Sequence, residues 1–282
     1  TATAALAAAA AGRAEASASA PEISSPPAPA RLTLAGDAWA NGATAEINRA
    51  LGGSGVTLAP APTGQEGDLS LRYADEWRAG GGAPGLVAIA RLYDCEAHLA
   101  ATGGARFIGD LAGKRIDIGA PGSPGAATAR RLLTLLGVAA TLNEIPPDEA
   151  LRRLARGETD ATLIIAPRPA APALPKGAAY VAIPYAPALR EAFVPAELPR
   201  GDGAPVDTVA VAAVLTAREP DPDSDAHRRL ERFAQALHKG LPRLAATAAP
   251  MQAKWQDVNF SARTGLPRFA PAQALIDKAA AN

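Results

Sequence analysis

Two long apolar runs constrain the fold of this 282-residue chain more than any other feature. Residues 85–101 read GLVAIARLYDCEAHLAA, and residues 207–219 read DTVAVAAVLTARE. Their Val, Ile and Tyr content favours extended strands over helices. Around them, short strands alternate with amphipathic helices, the pattern of an α/β protein with largely parallel sheets. Two such series joined by two long strands predict two lobes. The chain leaves lobe one, builds lobe two and returns.

In the first series, residues 31–36 and 56–60 read as strands, and residues 43–51 as a helix with Ile47 and Leu51 on one face. Residues 68–75 alternate Leu69, Leu71 and Tyr73, the period of a half-buried strand. In the second series, strands are expected at 114–121, 140–145, 160–167 and 178–184. Helices are expected at 126–138, ended by Gly137, and at 147–158, stopped by Gly157. A long helix at 225–248 carries Leu230, Phe233, Leu237 and Leu241 in one stripe, and a last helix covers 270–280.

Composition excludes several classes of function. The 28 basic and 28 acidic residues balance, which argues against a nucleic-acid binder. The single Cys95 rules out an internal disulfide and any multi-cysteine metal centre. His98, His227 and His238 are scattered, so neither a metal nor another cofactor is expected. No nucleophile-elbow, zinc-protease or paired-cysteine signature occurs, so no catalytic residue and no enzyme activity are expected. No run of about 18 strongly apolar residues suggests a membrane-spanning helix. The first twenty residues are alanine-rich and pass through Ala16-Ser17-Ala18, resembling the end of a secretory signal. Residues 21–30 read as a proline-rich lead-in, and a periplasmic location is expected.

The most informative loop is Gly119-Ala120-Pro121-Gly122-Ser123-Pro124-Gly125-Ala126-Ala127-Thr128, between a strand and a helix. Its glycines allow close backbone approach. Ser123 can cap the helix or donate to a ligand. The first N–H groups of a helix favour a carboxylate or phosphate. The loop matches neither a Walker loop nor the dinucleotide fingerprint, and a plain strand-to-helix turn with a serine cap remains the alternative. Tyr93, Asp94 and Glu96 fall on the first long strand, where a hinge faces the cleft; local pairing is the competing reading. Trp39 is either an aromatic wall or packs on its own lobe, and Tyr185 follows a strand end. Asp37 near Asp94 would suggest a cationic group in the ligand.

Residues 111–138, LAGKRIDIGAPGSPGAATARRLLTLLGV, resemble the central motif of TAXI-type solute-binding proteins of TRAP transporters. Residues 69–75, the 207–217 strand, and the stretches at 254–259 and 267–272 resemble further parts of that family. Pro124 and Gly125 depart from the family's Gly and Thr, and the first loop, Gly36 to Gly42, is not Gly/Thr-rich. The resemblance implies a two-lobed type II periplasmic binding protein fold, with a hinge between two mixed, mostly parallel sheets. Lobe one would comprise 31–117 and 210–282, and lobe two 118–209. It implies capture of a small organic acid or amino acid in the cleft for membrane permease subunits. The expected ligand-binding residues are Asp37, Trp39, Asn41, Tyr93, Asp94, Gly122, Ser123, Gly125, Ala126, Thr128 and Tyr185. The N–H groups after Ser123 would hold a carboxylate. The alternative is a scaffold or signalling subunit that keeps the fold and binds another periplasmic protein, which the departures favour.

Overall fold

The molecule is described from a computed structural model, over residues 29–37, 39–62, 65–78, 83–170, 173–200, 203–246 and 252–281. The alanine-rich leader and most of the lead-in lie outside the described residues. The first part of the chain forms β1 (Ala30–Ala35), α1 (Ala40–Leu51), β2 (Val56–Pro60), β3 (Leu69–Tyr73) and the short α2 (Asp75–Arg78). The long β4 (Leu86–Ala101) follows, then β5 (Arg115–Asp117), α3 (Pro124–Leu135), β6 (Thr141–Asn143), α4 (Pro147–Arg156) and β7 (Ala161–Ala166). The chain continues through β8 (Ala179–Tyr180), β9 (Val194–Leu198) and the second long strand β10 (Val206–Arg218). It closes with α5 (Asp225–Ala246), α6 (Gln252–Gln256) and α7 (Ala270–Ala280).

Local sequence explains most of these elements. β3 buries Leu69, Leu71 and Tyr73 on alternate positions. α1 buries Ala43, Ile47, Ala50 and Leu51 at helical spacing. α3 begins at Pro124, two residues earlier than the apolar pattern implies, because Ser123 caps it and proline is preorganised for the first helical position. α4 ends at Gly157, whose φ of 71° only glycine adopts without strain. α5 buries Leu230, Phe233, Ala234, Leu237 and Leu244 in one stripe.

The strands form one hydrogen-bonded path, β2-β1-β3-β10-β4-β7-β5-β6, with β8 against β4 and β9 against β10. β1 lies parallel to β2 and β3, and β5 parallel to β6 and β7. All pairings of the two long strands are antiparallel. Each long strand changes partner midway. β4 pairs with β10 over Leu86–Glu96 and with β7 over Glu96–Ala101. β10 pairs with β9 over Val206–Ala210, then with β4 from Ala210 onward. Ala210 and Glu96 face each other, so both changes occur at one residue pair. The two mixed sheets expected from sequence are therefore present as two halves that share β4 and β10. The first half holds β1–β3, and the second holds β5–β7. The C-terminal segment folds back onto the first half, with Asn259 bridging to Arg91 and Phe269 N–H donating to the Ala88 carbonyl at 3.0 Å. One apolar cluster runs from Ala30 through both halves to Ala272.

Candidate functional site

In a sheet of parallel strands, loops leaving the C-terminal ends build the ligand crevice. Here the loop after β1 brings Asp37 and Trp39 against the loop after β5, which carries Gly119, Ala120 and Ser123. The start of α4 and the end of β7 complete the walls. Between them lies a cavity of about 340 Å³ lined by Asp37, Trp39, Gly42, Ile118, Gly119, Ala120, Ser123, Gly125, Pro147, Asp148, Ile164, Ile165, Ala166 and Ala170. That volume sits at the small end of the range for ligand pockets, about 300–1,000 Å³.

Asp37 organises the site. Its Oδ2 accepts a hydrogen bond from the Tyr73 hydroxyl at 2.6 Å. Its Oδ1 accepts one from the Gly125 backbone N–H at 3.1 Å. Trp39 Nε1 donates to the same Tyr73 hydroxyl at 2.9 Å, which fixes the indole beside the carboxylate. Burial pushes the Asp37 carboxyl above its ordinary pKa, while hydrogen bonds from Tyr73, Gly125 and Ser123 act in the opposite direction. A side-chain carboxylate thus occupies the α3 N-terminus, where a ligand carboxylate was expected. The donors expected to be free there are engaged. Gly125 N–H serves Asp37, and Ala126 N–H donates to Ser123 Oγ at 3.2 Å. Ala127 N–H donates to the Ser123 carbonyl at 3.2 Å.

Gly125 has to be small for this arrangement. A Cβ there would lie 3.0 Å from Asp37 Oδ2 and 3.1 Å from Oδ1. A larger residue at this position would require the Asp37 carboxylate to shift by a few tenths of an ångström. Gly119, with φ 108°, bends the preceding loop so that its backbone passes beside Ala126.

The structure brings Asp37, Trp39, Ser123 and Gly125 together and leaves the other expected residues outside the cavity lining. Gly122 and Ala126 line a separate hollow of about 400 Å³ on the outer side of α3, with Arg130, Arg131 and Glu144. There Gly122 N–H donates to Glu144 at 2.9 Å, and Arg130 pairs with Glu144 at 2.7 Å. Thr128 is buried and donates to Asp75 at 3.0 Å, so its hydroxyl is committed away from the cavity. Tyr93 is fully buried between Trp39, tilted with ring centroids 5.9 Å apart, and Trp255, edge-on at 5.4 Å. Asp94 pairs with Arg91 at 2.6 Å, the local pairing that was the competing reading. Asn41 and Tyr185 are exposed and do not line the cavity. Cys95 is buried and its thiol is pushed up by burial, as suits a small core filler.

Sequence reasoning missed Asp148, Ile118 and the Ile164–Ala166 wall. The available signal was positional: they follow strand ends or open a helix on the same side as Ser123. It also missed how the halves are tied. Asp75, at the start of α2, accepts from both Thr128 and Arg131 of α3. Tyr73 OH also reaches the Ile165 carbonyl at 3.3 Å. At the strand handover, Lys254 Nζ donates to Glu96 Oε1 at 2.6 Å and to the Asp94 carbonyl at 2.7 Å. Arg168 N–H reaches the other Glu96 oxygen at 2.9 Å. Among the described residues, no group of three or more metal-ligating side chains occurs. No described helix is long and apolar enough to cross a membrane.

Comparison with known families and with curated proteins finds no match to this chain. Solved structures do match. The periplasmic binding protein BugD aligns with a TM-score of 0.50 at 15% identity, over 90% of this chain and 94% of that one. AbpA of Streptococcus pneumoniae, an amino acid ABC transporter substrate-binding protein bound to L-arginine, aligns with a TM-score of 0.49 at 15% identity, over 80% and 94%. The effector-binding domain of QuiR, in complex with shikimate, aligns with a TM-score of 0.46 at 10% identity, over 74% and 96%. The likeness to BugD, with the topology above, defines the class: a two-lobed type II periplasmic binding protein fold.

Proposed function

We propose that this chain is an extracytoplasmic solute-binding protein that holds a small solute between its halves and presents the closed form to membrane permease subunits. The observation that carries this reading is the cavity enclosed by loops from both halves, at the C-terminal ends of parallel strands. The partner change at Glu96 and Ala210 supports a hinge there. On this reading the lobe boundaries are proposed near residues 96 and 210. The alanine-rich leader supports export. The motif likeness over 111–138 supports a TRAP-type permease as partner. Of the two cargoes that likeness implies, an organic acid finds its seat at Gly125 filled by Asp37. An amino acid brings an ammonium group that an aspartate can hold, beside a carboxylate that meets the same filled seat. Binding rather than catalysis is supported by Ser123, whose hydroxyl is engaged with Ala126 and Asp37. The histidines pack elsewhere, His98 on Tyr180, His227 on Phe269 and His238 on Phe260.

A thermal-shift screen of the full chain against amino acids, amines, organic acids and sugars tests the reading. At least one class should raise the melting temperature, and Trp39→Ala should abolish the shift while the protein stays folded. No shift with any class would overturn it. The second reading, a scaffold that binds another protein, is favoured by one observation. Asp75 and Asp37 tie α3 directly to the first half through side-chain contacts of the chain itself. A chain that binds no solute yet captures a periplasmic partner through its closed form would support it.

A further inference from the structure

We infer that the cleft cavity selects a solute with a positively charged amino head group on a short apolar stem, with Asp37 and Asp148 as the selecting residues. The inference rests on the solute-binding reading and names the chemistry of that site.

The lining supplies the argument. Among the described residues around the cavity there is no Lys, Arg or His, whereas two carboxylates, Asp37 and Asp148, face it from opposite halves. Three arginines of the flanking elements are committed elsewhere. Arg168 pairs with Glu96 at 3.2 Å, Arg130 with Glu144 at 2.7 Å, and Arg131 with Asp75. The donors at the α3 N-terminus are engaged by Asp37 and Ser123. An anionic head group would therefore meet two carboxylates and an α3 N-terminus whose leading donors are taken, an unfavourable burial. A cation meets the reverse. The charged form of Asp37 is short of compensation where it lies, since burial outweighs its three hydrogen bonds. An ammonium group beside it supplies what is missing. Asp148 stands in the first turn of α4, on the opposite side of the cavity from Asp37. The Trp39 indole, held by Tyr73, offers an aromatic surface to a cation. Ile118, Ile164 and Ile165 give the rest of the cavity an apolar wall, which suits a short hydrocarbon stem.

Isothermal titration of the full chain with n-propylamine, n-butylamine and 1,4-diaminobutane, against n-butyrate, succinate and a neutral sugar, is the test. The amines should bind and the acids should not. Asp148→Asn, an exposed position that leaves the core untouched, should weaken amine binding at least about tenfold, the cost of one charge-assisted contact. Asp37→Asn should do the same. Asp37→Ala frees the Gly125 N–H and should let n-butyrate bind. Circular dichroism melts establish that each variant is folded. If the parent binds the acids or a neutral sugar and not the amines, the inference is overturned while solute capture stands. The same follows if both asparagine variants bind amines like the parent. If the parent binds no solute of any class, the solute-binding reading itself fails.

Discussion

At the scale of single residues, buried polar groups set the pH response. His98 lies on β4 with Nε2 3.0 Å from the Ala166 carbonyl, and its Nδ1 has no hydrogen-bond partner among the described residues. Burial holds its pKa below the ordinary 6.5; the Ala166 carbonyl and Glu96 act upward, and Lys254 and Arg168 downward. The folded chain therefore keeps His98 neutral at a pH where the unfolded chain takes up a proton. The resulting stability is present above the unfolded value and is lost as pH falls through the lowered folded value. His98→Gln keeps a donor to the carbonyl but does not titrate. Thermal melts from about pH 7.5 to about pH 5 should show the parent losing melting temperature relative to H98Q. Parallel curves would contradict this. His98 also shows what single residues disclose in advance. It falls within a long apolar run, but its partner is a carbonyl on β7, 68 positions away. Asp37 was legible as a site residue for the same reason that its role was not. Position after β1 places it in the crevice, whereas its partners Tyr73 and Gly125 come from separate elements that only the fold brings together.

At the scale of elements, patterns with a long period were readable and short pieces were not. The α5 stripe and the β3 alternation each repeat over several residues, so periodicity identifies them. β9 escaped because Pro195 argues against a strand; it is tolerated where β9 pairs on one side only, with β10. The four residues of α2 and five of α6 are too short for periodicity to register, and tertiary contacts hold them. Close packing of α1 on α5 supplies a prediction. A Cβ on Gly240 would lie 2.5 Å from the Ala50 carbonyl oxygen, which Arg243 also contacts as it closes the last turn of α1. In an isolated helix, Gly→Ala gains about 1 kcal/mol. Here the clash reverses the sign, and Gly240→Ala should lose about 1–3 kcal/mol, read as a lower urea midpoint with an unchanged slope. A stabilised variant would show that the helices can separate without penalty.

At the scale of the whole molecule, two lobes were legible because two apolar runs exceed what one sheet half needs, and β4 and β10 do cross between halves. What holds the crossing was not legible, since Lys254 and Glu96 are 158 positions apart. Their side chains are 8% and 4% exposed, so this is a buried pair at the strand handover. Lys254→Met should cost up to about 3–5 kcal/mol, because Glu96 keeps its burial and is left with Arg168, whose side chain is 52% exposed, as its cation. Adding Glu96→Gln should recover much of that loss in urea denaturation; an additive double variant would show that the two do not interact. The bond from Asp37 to Gly125 has a further consequence, in the language of competition. A carboxylate tethered to its own binding seat acts at a local concentration of about millimolar or more. On the proposed reading, a free acid of equal affinity at micromolar concentration would be outnumbered at that seat about a thousandfold.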